Sequence, residues 1–124
     1  MKAILYKDKF AVVKADRIDS VNLDGEFFAI IRDRGEITVV LRESELEKIG
    51  YAEAERDFRL ITFDLILPFD VVGFIAKIST AMADENISIF VISSYSTDSI
   101  LIREKDLDRA LRVLKGLGFE IMEK

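Results

Sequence analysis

The fold is decided by residues 67–73, Leu67-Pro68-Phe69-Asp70-Val71-Val72-Gly73. Before this stretch, residues 60–67 alternate between two faces, one of them fully apolar, as a β-strand does. Pro68 ends the strand, because it lacks a backbone donor and disfavours helical dihedral angles at the residue before it. Apolar side chains then recur with the spacing of one helix face, at Val71, Ile75, Ile78 and Met82. We therefore expect a strand-to-helix turn here, with Asp70 as the N-cap.

The elements after this turn complete a known supersecondary order. Asn86 tolerates left-handed dihedral angles, so we expect the helix to end there. Two short strands follow, over residues 87–93 and 99–103. A second helix has its apolar face at Leu107, Ala110, Leu111 and Leu114. Gly118 closes that helix, and residues 119–122 form a last edge strand. The order β-α-β-β-α-β is the ferredoxin-like split βαβ unit, so the predicted fold class is α+β.

The first half of the chain has strands but no long amphipathic helix. Strands are predicted near residues 10–14, 27–31 and 37–41. Gly35 lies in the hairpin between the last two strands, where positive φ is needed. Residues 44–49 favour one or two helical turns, ended by Gly50. We therefore expect a reduced N-terminal half, residues 1–57, and a full βαββαβ domain, residues 58–124.

Composition excludes several classes of site. The 124 residues contain no cysteine and no histidine, which excludes disulfides, thiolate and imidazole metal sites, and Ser-His or Cys-His catalysis. No carboxylate has a catalytic partner at a defined spacing, so we expect no enzyme activity. We also expect no cofactor and no bound metal.

Charge and hydropathy limit the classes of partner that the sequence predicts. The formal charge of −5 and the interleaving of basic with acidic residues argue against nucleic-acid binding. No apolar run is long enough to cross a membrane, and the N-terminus has no signal-peptide hydrophobic region, so we expect a cytoplasmic protein. The turn at 67–74 has no arginine for an acylphosphatase and no cysteines for a copper chaperone. The strand at 99–103 lacks the aromatic side chains of an RNA-recognition motif.

One packing argument points to self-association. Two helices cover only one face of a four-stranded sheet, yet the opposite face also carries apolar residues, including Leu60, Ile66, Phe90 and Ile92. We expect the first half to cover part of this face and a second copy of the chain to cover the rest. The expected assembly is a homo-oligomer, in its simplest form a dimer.

Residues 69–75 and 86–102 resemble the ACT-domain family and, within it, small tandem-ACT proteins related to the CASTOR arginine sensors. The pattern is matched at Phe69, Gly73, Ile87, Ser88, Ile89, Phe90, Ser93, Tyr95, Thr97, Asp98, Ile100 and Leu101. The chain departs from it at Ser94, where the pattern has threonine, and at Ser99, where it has an aromatic residue. Residues 25–40 are similar to the first ACT-like half of these proteins, so the resemblance implies a tandem ACT-like sandwich whose N-terminal half is reduced.

The resemblance implies a regulatory module that binds a small molecule, commonly an amino acid, between paired ACT units, and that acts on a regulated partner protein. The candidate ligand-binding residues are Asp70, Val71, Gly73, Phe74, Asn86, Ile87, Thr97 and Asp98. A helix N-terminus with a glycine suits a carboxylate, because backbone N–H groups and the positive end of the helix dipole are accessible there. Asp98 is expected to bind the ligand's ammonium group, and Thr97 to offer a hydroxyl.

Each of these residues also has a purely structural explanation. Asp70 caps a helix, Gly73 relieves crowding between helix and sheet, and Asp98 belongs to an ordinary turn. The alternative function is therefore a ligand-free oligomerisation or protein-interaction module of the same fold.

Overall fold

The computed structural model describes residues 1–17, 28–65 and 72–124. The chain forms two compact units. We call residues 1–7 and 59–124 the helical unit, because it contains both α-helices, and residues 8–58 the strand unit.

The described elements follow the predicted order. They are β1 (Lys2–Ala15), β2 (Ala29–Asp33), β3 (Glu36–Arg42), a 3-10 helix (Glu43–Lys48), β4 (Tyr51–Phe63), α1 (Phe74–Asp84), β5 (Ile89–Ser93), β6 (Asp98–Arg103), a 3-10 helix (Glu104–Asp106), α2 (Leu107–Gly116) and β7 (Glu120–Glu123). The run β4-α1-β5-β6-α2-β7 is the βαββαβ order, and the α+β prediction is confirmed. Within the described ranges, no helix has the length and apolar character needed to cross a membrane.

The N-terminal strand enters the helical unit. The strands of the helical unit lie in the order β7-β1-β4-β6-β5. β1 pairs in parallel with β7, from Lys2 opposite Glu120 to Leu5 opposite Glu123. Ala3 and Leu5 are buried in the core of this unit. The expectation that residues 1–57 form one half therefore does not hold for residues 1–7. The short apolar run there, between charged residues, becomes a strand through pairing with β7 and β4, segments about sixty residues or more away in sequence.

Three aromatic rings attach the start of α1 to the sheet. The ring of Phe74 packs edge-on against Phe63 at the end of β4, with centroids 5.2 Å apart. Phe119, just before β7, packs against Phe63 at 5.2 Å and against Phe74 at 6.4 Å. Aromatic pairs in these geometries contribute about 0.5–1.5 kcal/mol each beyond the area they bury. The N-terminus of α1 is therefore held at the end of β4.

Both faces of the helical unit's strands carry buried residues. Ile61, Phe63, Ile100 and Ile102 contribute to the core that the helices cover. Leu60 and Leu101 point to the opposite face, since side chains alternate along a strand, and they too are buried. Phe90 and Ile92 are half-buried, and Ile66 lies outside the described residues.

The strand unit is built on a hairpin. β2 pairs antiparallel with β3, and the turn between them has Arg34 at φ 47° and Gly35 at φ 76°. Two successive positive φ values are typical of a type I′ turn, so the predicted role of Gly35 is confirmed. β3 pairs with β1 from Phe10 opposite Arg42 to Ala15 opposite Ile37. Leu46, on the 3-10 helix, packs into the core of this unit.

The predicted boundary near residue 57 lies inside a strand. β4 runs through residues 53–57 without a break, and Asp57 within it has a positive φ of 63°. Its amide donates a hydrogen bond of 2.6 Å to Glu43 Oε2, and its carboxylate pairs with Lys9 at 3.3 Å.

Candidate functional site

The first candidate residue, Gly73, lies at the start of α1. The helix begins at Phe74, and Gly73 occupies the N-cap with φ 88° and no side-chain cap. Its carbonyl oxygen accepts the first helical hydrogen bond, from the amide of Lys77 at 3.0 Å. The prediction that Asp70 is the N-cap is therefore wrong, because the left-handed backbone at Gly73 delays the helix by three residues. Asp70 and Val71 themselves lie outside the described residues.

The space around Gly73 is open. A Cβ atom built on this residue meets no described atom within 4 Å. The preceding residue, Val72, is 94% exposed. Crowding between helix and sheet therefore does not explain the glycine, whereas its positive φ does favour one. The backbone at this end of the helix is accessible to solvent.

Phe74, the first residue of α1, packs its ring against the core of the helical unit. The ring is half-buried and packs on Phe63 and Phe119. The side chain of this candidate ligand-binding residue is thus packed against the core of the helical unit.

Thr97 and Asp98 lie at the β5-β6 hairpin. The Ser94 amide donates to the Thr97 carbonyl at 2.8 Å, and the Ser94 and Thr97 hydroxyls are 3.1 Å apart. The Ser93 hydroxyl donates to Asp98 Oδ1 at 2.6 Å. These serine contacts, which sequence reasoning missed, stabilise the turn and orient the Asp98 carboxylate.

The hairpin and the start of α1 lie at the same end of the helical unit. The hydroxyls of Thr62, near the end of β4, and Ser99, near the start of β6, are 2.8 Å apart. Phe74 contacts the end of β4 through Phe63. Gly73 and Phe74 on one side, and Thr97 and Asp98 on the other, therefore lie at the same end of the helical unit. Ser99, where the chain departs from the ACT pattern, is only 3% exposed and is satisfied by Thr62.

Asn86 and Ile87 lie at the other end of α1. The helix has eleven residues, which is about 16 Å at 1.5 Å per residue. Asn86 has φ 58°, and its amide donates to the Ala83 carbonyl at 2.9 Å. The Ile87 amide donates to the Met82 carbonyl at 3.0 Å. These two bonds form a Schellman motif, which ends the helix as predicted.

A side chain from α2 also binds this end of α1. Arg109 donates one hydrogen bond to the Glu85 carbonyl at 2.6 Å and another to Asp106 Oδ1 at 2.7 Å. Sequence reasoning missed this contact, although the spacing of three residues between Asp106 and Arg109 on a helix was a usable signal.

A separate cavity of about 600 Å³ lies in the strand unit. Its walls combine apolar and charged side chains: Val12, Val13, Lys14, Glu36, Thr38, Glu53, Ala54 and Glu55. None of the predicted site residues that the structure describes lines it.

Comparison with known proteins identifies the family. The family model described as the ACT domain matches residues 53–116, just over half of the chain. The chain belongs to the ACT-domain family. The match spans α1, β5, β6 and α2, and therefore includes both ends of α1 and the β5-β6 hairpin.

Solved structures agree on the ACT-like fold. The chain is similar to an Agrobacterium tumefaciens protein with TM-score 0.82 and 20% identity, covering 99% of this chain and 92% of that one. A Vibrio cholerae protein of unknown function, described as a possible transport protein, has TM-score 0.78 and 26% identity over 91% of this chain and 86% of that one. The regulatory subunit of aspartate kinase from Thermus thermophilus, in its ligand-free form, has TM-score 0.69 and 17% identity over 94% of this chain and 96% of that one.

Proposed function

We propose that this ACT protein is a regulatory module that binds a small molecule, by class an amino acid, at an interface between ACT units. Binding is coupled to assembly or to a partner protein. Membership of the ACT family and similarity to a regulatory subunit of aspartate kinase support this function. The closer relation to CASTOR-related tandem-ACT proteins is part of the proposal and rests on the motif in residues 86–102.

The open N-terminus of α1 carries the proposal. Gly73 is exposed, has φ 88°, and leaves the helix without a side-chain cap. The first amides of a helix lack intrahelical acceptors, and the helix dipole places about half a positive charge there. A ligand carboxylate supplies the missing acceptors, and a residue without Cβ lets it approach the backbone.

The β5-β6 hairpin supplies a carboxylate at the same end of the unit. Asp98 is half-buried and accepts a hydrogen bond from Ser93 on one oxygen. An ionised carboxylate has about four acceptor positions, so the Ser93 bond leaves capacity for a ligand ammonium group. An amino acid carries an ammonium and a carboxylate group on the same α-carbon, and we propose that the ammonium group binds Asp98 while the carboxylate binds the start of α1.

A thermal-shift screen against the twenty amino acids and common nucleotides tests this function. A ligand at a hundredfold its dissociation constant adds about 2.7 kcal/mol, which is several degrees for a chain of this size. We expect a shift with one or a few amino acids and none with nucleotides. No shift with any compound at millimolar concentration would contradict the proposal.

One observation favours the alternative, a ligand-free interaction module. The polar groups of the hairpin satisfy one another through Ser93, Ser94, Thr97 and Asp98. Under this alternative Asp98→Ala lowers the free energy of unfolding by about 1 kcal/mol through loss of the Ser93 hydrogen bond. No amino acid then stabilises either the unsubstituted protein or the variant.

A further inference from the structure

The cavity of the strand unit lies beside the core of that unit. Val13 of β1 and Val39 of β3 are opposite each other in the strand register and are buried in this core, at 1% exposure each. Lys14 and Thr38, the next opposite pair, point to the other face, because side chains alternate along a strand. Both line the cavity, and Lys14 is exposed. A molecule can therefore enter the cavity without displacing the core.

The volume of this cavity, about 600 Å³, suits a small organic molecule. Sites for such ligands usually have about 300–1,000 Å³ and combine apolar walls with a few polar groups. Val12 and Ala54 contribute apolar residues to the lining, and Thr38 adds a hydroxyl group. Volume and apolar surface do not define the charge of the ligand, but the ionisable side chains of the lining do.

The ionisable side chains of the lining are mostly acidic. Three of them are glutamates and one is a lysine: Glu36, Glu53, Glu55 and Lys14. Lys14 Nζ lies 3.8 Å from Glu36 Oε1, so the single cation of the lining is already paired. Because the lining has one ammonium group and three carboxylates, the cavity attracts cations and repels anions such as nucleotide phosphates.

The spacing of the carboxylates favours an extended organic cation over a metal ion. Glu53 and Glu55 are two residues apart on β4, so their side chains share one face of the strand and their Cα atoms are about 7 Å apart. Among the residues that the structure describes, no three acidic side chains are placed so that they could hold a metal ion. A chain of methylene groups with an ammonium group at each end separates its charges in the same way, and its methylene groups can cover apolar surface.

We propose that this cavity binds an aliphatic polyamine, with ammonium groups beside Glu53 and Glu55 and the methylene chain beside Val12. The ligand differs in charge from the one proposed for the start of α1, where backbone N–H groups attract a carboxylate. A polyamine has no carboxylate, and an amino acid brings its own carboxylate close to the glutamates of the cavity. The polyamine site therefore does not rest on the proposed function.

An ¹⁵N-¹H NMR titration of the full chain with the diamine putrescine, at low salt, tests the proposal. We expect saturable chemical-shift changes at the backbone amides of Val12, Thr38 and Ala54, and unchanged shifts at Gly73. Spermidine has one more ammonium group and is expected to bind at least about threefold more tightly. Added salt is expected to weaken the binding of both amines, because it screens exposed charges.

Variants of exposed residues identify the groups that bind the amine. Glu53→Gln keeps the shape of the side chain and removes its charge, so we expect it to raise the dissociation constant for putrescine at least about threefold. Glu47→Gln, at an exposed glutamate of the same unit outside the cavity, is the matched control and is expected to leave the constant nearly unchanged. Lys14→Gln removes the cation of the lining and is expected to lower the constant about twofold or more, whereas Lys48→Gln, outside the cavity, is not. Circular dichroism checks that each variant is folded.

Three results would overturn the proposal. One is a titration in which neither amine gives saturable shifts at the cavity. Another is an equal loss of affinity in Glu53→Gln and Glu47→Gln, which would show that the amines gather around the acidic chain only as counterions. The third is equally tight binding of Mg²⁺ at the same amides, which would assign the cavity to a metal ion. Binding of an amino acid is measured at other amides, those of Gly73 and its neighbours, so its failure leaves these results unaffected.

Discussion

The two ends of α1 both carry a left-handed residue, yet their surroundings differ. At the C-terminal end, Asn86 and Ile87 donate two backbone hydrogen bonds to the last turn, and Ile87 is buried with 5% exposure. At the N-terminal end, Gly73 has no side-chain cap, and no described atom lies within 4 Å of the place where a Cβ atom would stand. Folding therefore explains the residues at the C-terminal end, whereas the N-terminal end is where we propose that a ligand binds.

The end of α2 supports this interpretation of Asn86 and Ile87. Gly118 has φ 98°, and its amide donates to the Lys115 carbonyl at 3.0 Å. The Phe119 amide donates to the Leu114 carbonyl at 3.0 Å, and Phe119 is buried. Both helices thus end in a Schellman motif followed by a buried apolar residue, and this arrangement needs no ligand.

The largest expected effect is at Ile87. Ile87→Ala removes a buried side chain that packs in the core of the helical unit, and we expect it to lower the free energy of unfolding by about 3 kcal/mol. Urea denaturation measures this loss. Ser88→Ala, at the exposed neighbouring position, is the control and is expected to stay within about 0.5 kcal/mol.

A smaller effect is expected at Asn86. Asn86→Ala places an ordinary side chain at φ 58° and is expected to cost about 1 kcal/mol, whereas Asn86→Gly is expected to be nearly neutral. Equal losses for the two variants in urea denaturation would show that the asparagine side chain, and not its backbone angle, is what matters here.

At Gly73 we expect a substitution to change ligand binding more than it changes the stability of the fold. Gly73→Asn keeps a residue that tolerates positive φ, so its stability is expected to remain within about 1 kcal/mol. The added side chain occupies the open space at the helix N-terminus, and the thermal shift produced by an amino acid is expected to disappear. A full ligand response in this variant would remove Gly73 from the site.

The smallest change in stability is expected at Asp98. Asp98→Asn removes the charge and retains an oxygen that accepts the Ser93 hydrogen bond, so stability is expected to change by about 0.5 kcal/mol or less. The amino-acid response is expected to be lost. Ser93→Ala is the matched variant, because it breaks the same hydrogen bond and retains the charge, and its response is expected to persist.

Local sequence signals predicted much of the fold. Alternation and helical spacing identified the βαββαβ order, and the left-handed positions at Gly35, Asn86 and Gly118 followed from residue type. Residue type and local spacing did not predict the pairing of Lys2–Leu5 with β7, because these two segments are far apart in sequence. The start of α1 was misplaced, because Asp70 and Gly73 both suit an N-cap and only the backbone angle distinguishes them.

The grouping of the site residues was harder to predict. The motif contains both Gly73 and Asn86, but they lie at opposite ends of one eleven-residue helix, a separation that the helix length already implied. The hydrogen bond between Ser93 and Asp98 depends on hairpin register, which sequence patterns specify only loosely.

A ligand site at the N-terminal end of α1 is the central proposal for the function of this protein. An ¹⁵N-¹H NMR titration of the full chain with the amino acid that gives the largest thermal shift tests it. We expect the largest chemical-shift changes at the backbone amides of Gly73, Phe74 and Ile75 and at the hairpin amides of Thr97 and Asp98. Changes confined to the cavity of the strand unit, at residues such as Val12, Thr38 and Ala54, would contradict it.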